Sequence, residues 1–292
     1  MALLTITSND VALEVSTLGA EMQNLRDGDG RSLQWDGDPA VWSGRAPLLF
    51  PIVGELAGGR YRWNGREYAL ARHGFARGSV FDVVTHDARS ATLRLAASDA
   101  TRAVYPFEFA LDLAYAIDGA TLSIAASIAN HGAAPMPASI GFHPAFRWPL
   151  PYGEPRDDHA IVFEHDEPEP MRRLDRDGLL EAQTQPTPIV GRTLALRDSL
   201  FEHDALIFDR LTSRRLSYGA RRGPRLSIRF DDLPMLGVWT KPQAAGFICI
   251  EPWQGVADPT GFDGDLGQKP GIVMIDAGVS RVFTMTIELV AG

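Results

Sequence analysis

A single cysteine, Cys249, stands in a chain of 292 residues, so no intrachain disulfide and no multi-cysteine zinc site can form. That is the usage of a reducing compartment, and a cytoplasmic location is expected. Lysine is nearly absent as well, with only Lys241 and Lys269, and the many arginines are scattered through a chain of net charge −9. No basic stripe exists to follow a nucleic-acid backbone or an anionic membrane, so neither partner is expected. No stretch approaches the roughly 20 apolar residues of a membrane helix. Met1 to Val11 also lacks the basic segment, apolar run and cleavage site of an export signal. The chain has no glycine-rich phosphate loop, no GxSxG elbow and no HExxH pair, which counts against nucleotide-dependent chemistry and the standard hydrolases. Sustained helical periodicity is also missing.

What the sequence does have is 45% hydrophobic against 22% charged residues, the balance of a globular protein with a large core, and alternation of period two from end to end. Phe107, Phe109, Leu111, Leu113, Tyr115 and Ile117 alternate up to Asp118-Gly119, after which Leu122, Ile124, Ala126 and Ile128 resume. Asp-Gly between two such runs predicts a hairpin, because both turn residues tolerate positive φ. Leu4–Thr7 and Val11–Val15 predict a second hairpin around Asn9-Asp10, and the runs at 226–230 and 283–289 predict later strands. Asp38 before Pro39 predicts a short helical turn. The proline- and acid-rich stretch from Trp148 to Pro188 predicts a long connection with one strand at most. The expected architecture is all-β: one domain over 1–292, a large antiparallel sandwich with few short helices, whose concave face or rim holds a ligand.

Alternation also sorts the reactive side chains. In Ser139-Ile140-Gly141-Phe142-His143-Pro144, His143 shares a face with Ser139 and Gly141 and points away from Ile140 and Phe142. For a lone histidine, a solvated or hydrogen-bonded ring beside a turn is the commoner outcome. Phe247 to Trp253 reads as a buried strand ending in the carboxylate of Glu251, closed by Pro252, which cannot donate to a ladder. Trp253 suits either the core or a stacking platform for a sugar ring. His73 and Arg77 flank a glycine-containing turn, Arg45 precedes the apolar run from Pro47, and Asp204 precedes a strand; taken singly, these are ordinary turn and surface residues. A zinc site from His73, His143 and Glu251 is chemically conceivable, but their wide separation provides no ligand spacing, and no metal is expected.

Five segments in order, APLLFPIVGEL (46–56), HGFAR (73–77), GFHPAF (141–146), LFEHDALIF (200–208) and IEPWQGVAD (250–258), resemble the aldose 1-epimerase, or galactose mutarotase-like, family, and within it the bacterial LacX-type branch. The resemblance implies a supersandwich fold, no cofactor, and a small-molecule sugar as partner to a monomer or homodimer. It implies that Glu251 is the catalytic base, His143 the general acid, His73 a second catalytic histidine and Asp204 a ligand of sugar hydroxyls. It departs from galactose mutarotases at Glu55, where those enzymes carry a substrate-binding arginine. Arg45 and Arg77 are similar to arginines of hexose-6-phosphate 1-epimerases, in which guanidinium forks suit a phosphate, so the alternatives to a free-aldose epimerase are a sugar-phosphate epimerase and a non-catalytic carbohydrate-binding protein on the same fold. Acid catalysis by His143 at neutral pH would require a nearby carboxylate to raise its pKa from about 6.5.

Overall fold

The computed structural model describes residues 1–241 and 245–292. Its largest sheet has nine antiparallel strands in the order Thr193–Ala195, His159–Phe163, Arg215–Ala220, Arg225–Arg229, Ser280–Val290, Thr121–Asn130, Phe109–Asp118, Ser90–Ala96 and Asp82–His86. The Asp-Gly hairpin forms its middle, Asp118 pairing with Thr121 and Gly119 at φ 55°. The last strand of the chain lies beside it, pairing Leu122 with Ile287 and Ile124 with Met285. The N-terminal hairpin, Leu3–Thr7 with Val11–Ser16, is extended by Met22–Asp27 into a separate three-stranded sheet.

A second sheet carries the site. Its order is Leu206–Phe208, Met235–Trp239, Phe247–Gln254, Ile140–Phe142 and Leu48–Leu49, with Ala145–Arg147 also paired to the central Phe247–Gln254 strand. Alternation divides that central strand. Ile248 and Ile250 enter the main core with Leu111, Leu113, Ile228 and Met285 of the large sheet, while Phe247, Cys249, Glu251 and Trp253 take the other face. Burying the first face against the large sheet supplies the hydrophobic term that holds the layers together. The second face is thereby presented on a rigid floor.

One expectation is met and another corrected. The helical turn at Asp38 is a single hydrogen-bonded turn, with Trp42 N–H donating to the Asp38 carbonyl at 2.8 Å, capped by Ala40 N–H on Asp38 Oδ1. The one α-helix among the described residues is instead Asp99–Val104, opened by a Ser98–Thr101 capping box. Pro252 does not close its strand, which runs on to Gln254. Its missing N–H costs nothing there, because the partner ladder is interrupted between Gly141 and Ala145.

Candidate functional site

That interruption makes the site. Ile140 pairs with Gln254 on one side of the gap and Ala145 with Cys249 on the other, and continuing either register places His143 opposite Glu251. Residues directly opposite on one face of an antiparallel pair bring their Cβ atoms to about 5 Å. His143 Nε2 accordingly lies 3.1 Å from Glu251 Oε2. Glu251 is therefore not at a strand end: it sits in mid-strand on the sheet's inner floor, 2% exposed. The alternation that set His143 apart from Ile140 and Phe142 correctly identifies the face it occupies.

A cavity of about 320 Å³ opens over this pair, lined also by Arg72, His73, Arg77, Asp204, Trp42, Trp239 and Trp253. It is at the small end of the range for ligand sites, the size for a monosaccharide and not a long chain. His73 and Asp204 hold left-handed backbone at φ 66° and 64°, a conformation that costs a non-glycine residue energy and is concentrated at functional positions. Gly74 follows His73 because a Cβ there would stand 2.2 Å from the Phe50 carbonyl oxygen. Gly54 N–H donates to His73 Nδ1 at 3.1 Å, and Arg72 Nε stands 3.3 Å from Nε2. A neutral imidazole accepts at one nitrogen only. Arg72 Nε–H points at Nε2, and the shorter, backbone-fixed bond from Gly54 competes with it for the one ring acceptor. Asp204 is exposed, with Oδ1 accepting its neighbour's Ala205 N–H at 2.9 Å.

Trp253 belongs to the core, 6% exposed, and its indole also lines the cavity. The ring lies over Gly237 and Gly141, where an added Cβ would stand 2.3 Å and 2.5 Å from it. Arg77 lines the cavity, but Arg45 does not. The Arg45 guanidinium donates to the Gln23 carbonyl at 2.7 Å and packs on Gly37, because its strand neighbours turn it toward the N-terminal sheet. Glu55 is half-buried outside the cavity wall, near enough to Arg77 and Lys269 to favour their charged forms. Sequence reasoning missed Arg72, Trp42 and Trp239. Arg72 adjoins a motif already singled out, and its neighbourhood to His73 was the available signal. The two tryptophans carried none, since each lies in a segment without reactive neighbours.

Enclosure dominates the electrostatics. Burial pulls the His143 imidazolium pKa down to about 3, opposed by a hydrogen bond to its own backbone and reinforced, more weakly, by Arg72 and Arg77. The expected rise is therefore not found: the carboxylate is present, but desolvation outweighs it. Burial raises the Glu251 carboxyl well above the usual range, with Arg72 opposing and Asp204 reinforcing. His73 is held neutral by burial and then by His143 and the arginines. His143 and Glu251 thus share one proton across their contact, with no net charge on the pair. Cys249 Sγ lies within 4.8 Å of both ligand atoms, but burial and Glu251 hold the thiol protonated. A protonated thiol and a carboxyl already bonded to the imidazole make a poor donor set for a cation.

Residues 2–264 match the family model described as aldose 1-epimerase. The chain is 32% identical over 275 residues to the chromosomal protein LacX of Lactococcus lactis subsp. lactis, covering 91% of this chain and 92% of that protein. Among solved structures it is similar to a galactose mutarotase related enzyme from Lactobacillus acidophilus, with TM-score 0.90, 30% identity and coverage of 99% and 98%. A galactose mutarotase-like protein from Lactobacillus casei superposes with TM-score 0.92 at 26% identity, covering 99% and 100%. With the family model spanning most of the chain and mutarotase-like structures superposing over 99% of it, the protein belongs to the aldose 1-epimerase family.

Proposed function

We propose that this protein interconverts the α and β anomers of an aldose, with Glu251 and His143 as the proton-transfer pair. The observation that carries this reading is the 3.1 Å contact between His143 Nε2 and Glu251 Oε2 on the floor of a monosaccharide-sized cavity. Ring opening needs one proton taken from O1 and one given to the ring oxygen. In the charge-separated form of the pair, Glu251 takes the first and His143 gives the second; the C1–O5 bond breaks and C1 becomes an aldehyde carbon. The pair is left as neutral imidazole and carboxylic acid. Rotation about C1–C2 and closure on the other face reverse both transfers, so the pair holds one proton throughout. His73, on the cavity wall beside the pair, polarises the ring oxygen as the bond breaks. General acid–base catalysis of this kind supplies about 10²–10⁴-fold, with sugar positioning adding to it.

A second substrate reading is favoured by one feature. Arg72 and Arg77 both line the cavity, and among the described residues neither forms an ion pair, although the protein as a whole is acidic. An aldose carrying a phosphate would give them a partner. Polarimetric mutarotation rates for glucose and galactose against their 6-phosphates, in wild type and Arg77→Ala, separate the readings. Faster turnover of the phosphates, lost in the variant, selects the anionic substrate. A preference for free hexoses that Arg77→Ala leaves intact selects the neutral one. A glycosidase reading lacks a second buried carboxylate opposite Glu251, since Asp204 is exposed.

A further inference from the structure

We infer that Trp42 is the positioning residue of His143, fixing the imidazole by stacking where a hydrogen bond would ordinarily do so; the inference rests on the acid–base reading above. A catalytic histidine is usually oriented through its second nitrogen. Here Nδ1 is buried and makes no hydrogen bond to another of the described residues, so Nε2 to Glu251 is the one polar contact with another residue that orients the ring. Aromatic walls supply the remaining constraint. Trp42 stacks on the imidazole at 5.3 Å and 29°, and Trp239 meets it edge-on at 6.1 Å.

Trp42 is half-buried and is itself held in place. Its indole stacks on Phe247 at 5.3 Å and meets Trp239 edge-on at 5.3 Å, and it packs on Gly44, where a Cβ would stand 2.4 Å from the ring. Trp35 Nε1–H donates to the Trp42 carbonyl at 2.9 Å. The loop carrying it is tied at both ends to one residue: Trp35 N–H donates to the Ala145 carbonyl, and Ala145 N–H to the Arg45 carbonyl, at 3.0 and 2.8 Å. Ala145 is two residues beyond His143, so the same backbone that presents the imidazole anchors the loop that clamps it.

The clamp also covers part of the pair, leaving the His143 and Glu251 side chains 11% and 2% exposed, with a readable consequence. The charged and titratable groups facing His143 are Glu251 and Cys249 from the central strand, Arg72, His73 and Arg77 from the adjoining segment, and Asp204 across the cavity. The working one-proton pair is neutral. Adding a proton at low pH makes it positive and removing one at high pH makes it negative; exclusion of water penalises both, and so widens the active pH range at each end.

The test compares Trp42→Ala and Trp42→Phe with wild type, after matching their thermal midpoints to confirm folding. Expected for Trp42→Ala are a kcat loss of about 10²-fold, a smaller change in KM, and a kcat–pH bell narrowed on both limbs; Trp42→Phe restores most of each. Independently of turnover, nitrogen-15 NMR of His143 in the sugar-free protein is expected to show one fixed tautomer in wild type and Trp42→Phe, and averaged ring signals in Trp42→Ala. Unchanged His143 signals in Trp42→Ala would overturn the inference even if no sugar is turned over. A change confined to KM would overturn it too, making Trp42 a sugar platform only.

Discussion

Glu251 and His143 are pushed in opposite senses by the same enclosure, and the proton they share is the chemical content of the site. Replacing Glu251 by Gln keeps the shape and removes the base. Steady-state kinetics are expected to show a kcat loss of 10²–10⁴-fold, while sugar binding remains detectable by calorimetry. Burial holds His73 neutral, so in the proposed reaction it assists without titrating. His73→Asn is therefore expected to cost about 10²–10³-fold in kcat, the usual loss for one donor to a developing oxyanion, without moving either limb of the pH profile. Movement of the acid limb in that variant would show His73 to be a titrating group.

At the scale of strands, the site is a property of register. Gly141 and Gly237 flank the central strand and let the Trp253 indole lie flat on the sheet. Gly237→Ala forces a Cβ into the ring from a strand that cannot withdraw, and is expected to cost about 1–3 kcal/mol by chemical denaturation and to raise KM as Trp253 tilts into the cavity. Sequence periodicity identifies these strands well, because a half-buried strand must alternate: the Asp118-Gly119 hairpin, the terminal strands and the face of His143 all follow from it. It does not disclose which strands pair. His143 and Glu251 lie far apart in the chain, and only the ladder on both sides of the gap sets them opposite each other. Pro252 reads as a strand end because a missing donor normally has a price; the gap opposite it is a fact of pairing. Arg45 fails for a related reason, since its proximity to Pro47 in the chain says nothing of which side of the sheet its guanidinium takes. The ordered family motifs, by contrast, mark His73, Arg77, His143, Asp204, Glu251 and Trp253, all of which line one cavity.

Across the whole molecule, two sheets enclose the core and the smaller one turns its free face into the cavity floor. A buried ion pair stands outside the cavity lining, one residue beyond Ala257, which lines it. Lys269 Nζ contacts Asp258 Oδ1 at 2.7 Å with no exposure of the lysine side chain, and Asp258 Oδ2 accepts Ala57 N–H at 2.9 Å. Lys269→Met leaves the carboxylate buried and unpaired, which is expected to lower stability by about 3–5 kcal/mol, read as a shift of the denaturation midpoint at unchanged slope. The chemistry, however, rests on the pair beneath the cavity. The measurement that addresses it most directly is proton NMR exchange between α and β anomers across glucose, galactose and their 6-phosphates, with wild type, His143→Asn, Glu251→Gln and the double variant. Acceleration by wild type that is lost in either single variant, with the double no worse than the singles, is the expected result for two groups sharing one proton. Acceleration that survives in Glu251→Gln, or none for a sugar that demonstrably binds, would contradict it.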